Sequence, residues 1–155
     1  MYLREDPFDL PARCSAKVAT REVVCQKDLP VDLRDFWSEY FSASLFEDLT
    51  YGQWGLKLLD YESSNQLTRR ENRERPTEAL RGDRVFGKFI GDSQLLVIRC
   101  DAAKPDFGSI LVSWPSSPRE EWYHVGSSLS EFLAAYTASE GEKFWEPHYA
   151  PRDRS

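Results

Sequence analysis

The chain has 155 residues, 41% of them hydrophobic and 14% aromatic, with a formal net charge of −6 and a pI near 5.0. That amount of chain suits one domain, able to bury about two thirds of its unfolded surface. No apolar run approaches the roughly 20 residues a membrane helix needs, and the acidic balance argues against direct nucleic-acid binding, which rests on neutralising phosphates. Cys14, Cys25 and Cys100 are odd in number and lack CxxC spacing, and the two histidines are His124 and His148. This is neither a zinc nor a disulfide pattern, so no metal and no cofactor is expected. The start, MYLREDPFDLP, carries acids and a proline where a secretory signal has a basic end and an apolar block, so a cytoplasmic location is expected.

In chain order, residues 1–28 read as an arm packed on the domain, with Ala16–Cys25 either a strand or a short helix because its apolar positions fit neither period. Leu29-Pro30 opens a helix, proline being tolerated in a first turn whose N–H groups are unpaired anyway. Leu33, Phe36, Trp37, Tyr40 and Phe41 repeat at helical spacing and predict a core-facing stripe running through Phe41. Ser42–Gly55 reads as a connector with a short helical turn at Leu45–Leu49, and Trp54–Tyr61 as a strand with Leu56 and Leu58 on one side. Ser63–Arg75 is strongly polar. Its arginines alternate with Glu71 and Glu74, which fits a solvated helix or loop laced with i,i+3 and i,i+4 pairs, the alternative being a phosphate- or acid-binding patch.

Val85 to Tyr136 organises the rest. Val85–Ile90 and Leu95–Asp101 are two strands around the turn Gly91-Asp92-Ser93, Ser109–Trp114 a third stopped by Pro115, and Glu121–Val125 a fourth. Leu129, Phe132, Leu133 and Tyr136 then fall on one helix face, with Ser128 and Glu131 spaced as a capping box. The residues predict a β-meander closed by an amphipathic helix. Phe144, Trp145 and Tyr149 are expected to pack back on the sheet before the tail, 147–155.

The order of these signals resembles the SUKH superfamily, bacterial immunity proteins related to a yeast regulator of cell-wall synthesis. The residues that carry the likeness are Leu29-Pro30, Phe36-Trp37, Gly91-Asp92 and the run from Ser128 to Phe132-Leu133, spanning roughly Leu29 to Tyr136. The resemblance implies an α+β domain over 29–146, with a mixed or antiparallel sheet of about five strands flanked by helices. It further implies a non-enzymatic immunity protein that binds a cognate bacterial toxin domain, of nuclease or deaminase type, and occludes it. The alternative is a regulatory or scaffold module that binds other proteins.

No catalytic constellation accompanies these signals. His124 has no serine or cysteine placed as its nucleophile, and Gly87, Gly91 and Gly108 are scattered turn glycines rather than a phosphate loop. Asp92, Asp101 and Asp106 would offer carboxylates to a divalent ion, but solvated turn acids are the expected reading. Acids outnumber bases eight to two over Asp28–Glu62 and nine to four over Asp92–Glu146, while Arg69–Lys88 reverses the sign. Such acidic flanks suit capture of a basic partner. The expected partner-facing patch is Trp114, Trp122 and Tyr123, bracketed by Asp106, Glu120 and Glu121, because aromatics rimmed by charge anchor interfaces. The competing reading is that these aromatics fill the core face of the sheet.

Overall fold

The computed structural model describes residues 14–20, 28–147 and 149. Within them a seven-stranded sheet runs in sequence order: β1 (Ser15–Val18), β2 (Tyr40–Leu45), β3 (Leu56–Leu58), β4 (Asp83–Phe89), β5 (Leu95–Arg99), β6 (Ile110–Ser113) and β7 (Tyr123–Gly126). Helix α1 (Val31–Glu39) lies between β1 and β2, α2 (Tyr61–Glu74) between β3 and β4, and α3 (Leu129–Ala138) after β7. Every neighbouring pair is antiparallel, so the class is α+β, with two strands more than the sequence marked. A meander alternates its connections between the two ends of the sheet. The β2–β3, β4–β5 and β6–β7 turns therefore share one end, opposite α1, α2 and the β5–β6 loop.

The helices cover both faces. Leu33, Phe36 and Trp37 of α1 and Leu129, Phe132 and Tyr136 of α3 pack on Leu58, Phe86, Leu96, Ile98 and Val112. On the other face Leu67 of α2 meets Val85, Leu95 and Val97. Strand β5 is thus buried on both sides, which is why it reads as the unbroken apolar run Leu95–Ile98 rather than as an alternation. Phe86 is fully buried and takes Phe36 and Trp37 edge-on, each at 5.4 Å. The indole Nε1–H of Trp37 donates to the Leu59 carbonyl at 3.0 Å, so the one polar atom of that buried ring is satisfied.

Three sequence expectations change. Helix α1 ends at Glu39, and Tyr40-Phe41 belong to β2. Tyr40, Ala43 and Leu45 are buried while Phe41 is exposed, and pairing with β1 and β3 on either side outweighs helical spacing. The short helical turn expected at Leu45–Leu49 is replaced by the end of this strand and a loop. The strand expected over Trp54–Tyr61 shrinks to Leu56–Leu58, because Asp60 caps α2 by accepting from the Ser63 N–H at 3.1 Å. The fourth strand of the meander begins at Tyr123, after a 3₁₀ turn over Arg119–Glu121. The polar segment Ser63–Arg75 lies almost wholly in α2, and the expected cap of α3 is present: Ser128 Oγ accepts from the Glu131 N–H at 3.1 Å. Glu131 reaches back to the Ser127 N–H at 2.9 Å rather than to that of Ser128. Of the arm, β1 is described; Val23, Val24 and Cys25 lie outside the described residues, as does the PRDRS end.

The shortness of β3 creates a demand that α2 meets. Pairing with β4 stops at Leu58–Gly87, with one further bond from the Leu59 N–H to the Phe86 carbonyl. Beyond it Thr68 Oγ1 accepts from the Val85 N–H at 2.9 Å, and Ser64 Oγ donates to the Val85 carbonyl at 2.6 Å. Two hydroxyls one helical turn apart thus take the place of a strand. Thr68→Val, which keeps the shape and removes the acceptor, should destabilise the protein by about 1–3 kcal/mol in urea unfolding and speed amide exchange at Val85.

Candidate partner-binding surface

At the end of the sheet that carries α2, one buried carboxylate gathers two arginines. Asp83 Oδ1 accepts from Arg99 Nη1 at 2.7 Å and Arg119 Nη2 at 3.0 Å, while Oδ2 accepts from Arg119 Nη1 at 2.5 Å and the Leu80 N–H at 2.9 Å. The Asp83 and Arg99 side chains are 6% and 4% exposed, so the pair is desolvated. Burial by itself would lower the pKa of Arg99, but its bonds to Asp83 and Asp106 prevail and raise it. Arg119 draws the β6–β7 loop back over the α2 face. Trp122 is held there between the guanidiniums of Arg119 and Arg75, at 4.8 and 5.7 Å from its ring.

The six residues of the expected patch are therefore distributed. Trp114 and Tyr123 stack against each other with centroids 5.0 Å apart, Tyr123 packing on the larger core. Glu120 and Glu121 are exposed beside them on the 3₁₀ turn. Trp122 is engaged by the two arginines, and its Nε1–H donates to the Ser117 carbonyl at 3.4 Å. Asp106 lies in the β5–β6 loop at the opposite end, bonded to Arg99 Nε at 2.9 Å, and reaches the Trp122 region only through the Arg99–Asp83–Arg119 chain.

A surface the sequence did not mark lies at the end of the sheet where the β2–β3 loop emerges. Leu49, Tyr51 and Trp54 are 87%, 74% and 49% exposed. The loop is nevertheless built firmly: Asp48, itself buried, accepts from the N–H groups of Thr50 and Tyr51 at 3.1 Å each and of Gln53 at 3.2 Å. The Gly52 N–H donates to the Asp48 carbonyl and the Asp48 N–H to that of Trp54. The base of the loop is tied to the β4–β5 turn by a bond from the Ile90 N–H to the Gly55 carbonyl at 2.8 Å. Gly91 in that turn has φ +90°, and a Cβ there would run into the Gln53 carbonyl, so glycine is required. The signal available in the sequence was Tyr51-Gly-Gln-Trp54-Gly, aromatics spaced by turn glycines, which resembles an ordinary connector until burial is known.

Behind Trp54 a groove of about 590 Å³ opens between this loop, the β4–β5 turn and the segment after α3. Phe89, Ile90 and Tyr136 line it on the apolar side, and Asp92, Glu140, Glu142 and Glu146 on the acidic side. Lys143 also lines it, its ammonium paired with Asp92 and 5.4 Å from the centre of the Phe89 ring.

The other candidate residues stand apart from this groove or serve their own turns. His124 is exposed on β7. Asp101 caps the Ala103 N–H and Asp92 the Gln94 N–H, each within its own turn. Among the described residues no group of three or more His, Cys, Asp or Glu side chains is arranged to hold a metal ion. Helix α2 exposes Arg69, Arg70 and Arg73, with Arg70 near Glu71 and Glu74 and Arg75 on Glu71. Burial pushes the Cys100 thiol up to about 12, against the opposing pull of Arg84 and Arg99.

The sequence matches the SMI1/KNR4 family (SUKH-1) over residues 23–135, and the chain belongs to that family. No curated protein and no solved structure matches it. No helix of the described residues is long and apolar enough to cross a membrane.

Two measurements probe this framework. Asp83→Asn leaves two guanidiniums facing a neutral amide and should lower stability by about 3–5 kcal/mol in denaturant unfolding. The fold holds Cys100 as the neutral thiol, so that contribution to stability is complete below the ordinary value of 9.0 and is lost as pH rises toward about 12. Alkylation at mildly alkaline pH, followed by peptide mass spectrometry, should leave Cys100 unmodified in the native protein and label it in urea.

Proposed function

We propose that this protein is a non-catalytic immunity protein that binds a cognate bacterial toxin domain, of nuclease or deaminase type, and blocks its working surface. Family membership supports a protein partner. The observation that carries the reading furthest is the β2–β3 loop, which holds Leu49, Tyr51 and Trp54 in solvent on a backbone fixed by Asp48. Burying such side chains stabilises a complex, and a loop already ordered loses little entropy on binding. The net charge of −6 suits a basic partner such as a nuclease domain, by steering its approach and competing for its phosphate-binding surface. The exposed Glu120 and Glu121 beside the Trp114–Tyr123 pair belong to the same contact in this reading, with Trp122 and Asp106 supporting it from within through Arg119 and Arg99.

Capture of the tagged protein from its native cells should co-purify one stoichiometric partner whose toxic activity the protein suppresses. Replacing Leu49 and Tyr51 together by serine should weaken that complex by about 10–30-fold with an unchanged melting temperature. Many partners at low yield, or suppression unaffected by the double replacement, would favour a scaffold role or a different contact surface.

A further inference from the structure

The groove behind Trp54 already contains one basic side chain, and the way it is held indicates what the groove recognises. Lys143 places its ammonium against the Asp92 carboxylate and near the Phe89 ring, while Glu140, Glu142 and Glu146 add negative charge along the same lining. An aromatic ring and a carboxylate converging on one cation is the arrangement that binds ammonium and guanidinium groups. Trp54, half exposed at the mouth, supplies an apolar wall for the aliphatic stem such a group carries. The lysine and aspartate side chains are 27% and 35% exposed, so their pair is hydrated and readily exchanged. Four acids against one lysine leave the lining with uncompensated negative charge, complementary to a basic segment.

We propose that this groove takes a lysine- or arginine-bearing segment of a protein partner, whose cation occupies the place between Asp92 and Phe89 that Lys143 holds in its absence. Lys143 is then an internal competitor. The inference deepens the immunity reading, on which the identity of the partner as a toxin rests; the recognition of a basic segment is testable without any toxin.

The probe is a fluorescein-labelled octa-arginine peptide, titrated by anisotropy into the full chain and four variants at low and at physiological salt. Asp92→Asn keeps the local acceptor for the Gln94 N–H and should weaken binding by about two- to fivefold, whereas Lys143→Met should strengthen it by a similar factor. Asp101→Asn and Lys104→Met make the same changes of charge in the β5–β6 loop at the opposite end of the sheet, and Asp101 caps its own turn just as Asp92 does. Each should move the affinity less than its counterpart in the groove. The Trp54 indole resonance should shift on titration. Equal effects at both ends would mean capture by net charge alone and would overturn the proposal, as would an affinity lowered by Lys143→Met. If the peptide discriminates as stated while no toxin partner is found, the groove inference stands and the immunity reading falls. A toxin complex indifferent to Asp92 and Lys143, with no discrimination by the peptide, overturns the groove inference and leaves the immunity reading standing.

Discussion

Asp83 begins β4 with both carboxylate oxygens occupied, and much of the architecture follows from what occupies them. A buried charge is tolerated only where its partners are close and its remaining lone pairs are satisfied. Here Arg99 comes from the adjacent strand, Arg119 from a loop many residues away, and the Leu80 N–H from the turn before β4. The second of these has the longest reach. For Arg119 to meet Asp83, the β6–β7 loop must fold back over the sheet, and this brings Trp122 beneath the end of α2. Arg75 closes the junction by stacking on Trp122 and donating to the Trp114 carbonyl at 2.9 Å. A helix, a loop and two strands are thus fixed by one carboxylate and the guanidiniums around it.

The same arrangement divides the molecule into a held part and an offered part. On the α2 face, Ser64 and Thr68 bond the open edge of β4, and the arginines absorb the aromatics that come within reach. At the end of the β2–β3 and β4–β5 turns the backbone is equally satisfied, but large side chains are left in water. Asp48 spends its buried carboxylate entirely on the backbone of its own loop. An exposed aromatic on a loop so constrained is a surface prepared for contact, because little ordering remains to be done when a partner arrives.

The legibility of these features in the sequence varied with how local their causes are. The hairpin around Gly91, the strand stopped by Pro115 and the helix capped by Ser128 rest on neighbours a few residues apart, and each was readable. Tyr40 and Phe41 were not: their spacing continues the stripe of α1, and only two flanking strands turn them into β2. Leu49, Tyr51 and Trp54 have the composition of core residues, and exposure is a property of the folded chain alone. Trp122 carried the right chemistry for a contact but is clamped by Arg75 and Arg119, which lie 47 and three residues away in sequence.

By itself, then, the sequence determined an α+β meander closed by a capped helix, an acidic surface and a likeness to the SUKH proteins, since periodicity, turn chemistry and charge are properties of neighbouring residues. The tertiary structure alone decided which aromatics are buried and which offered, which acids are engaged by arginine, and that Asp92, Phe89 and Lys143 meet across a groove. Lys143 lies 51 residues from the aspartate it pairs with. No local pattern encodes such a meeting; it exists only once α3 has turned the chain back onto the sheet.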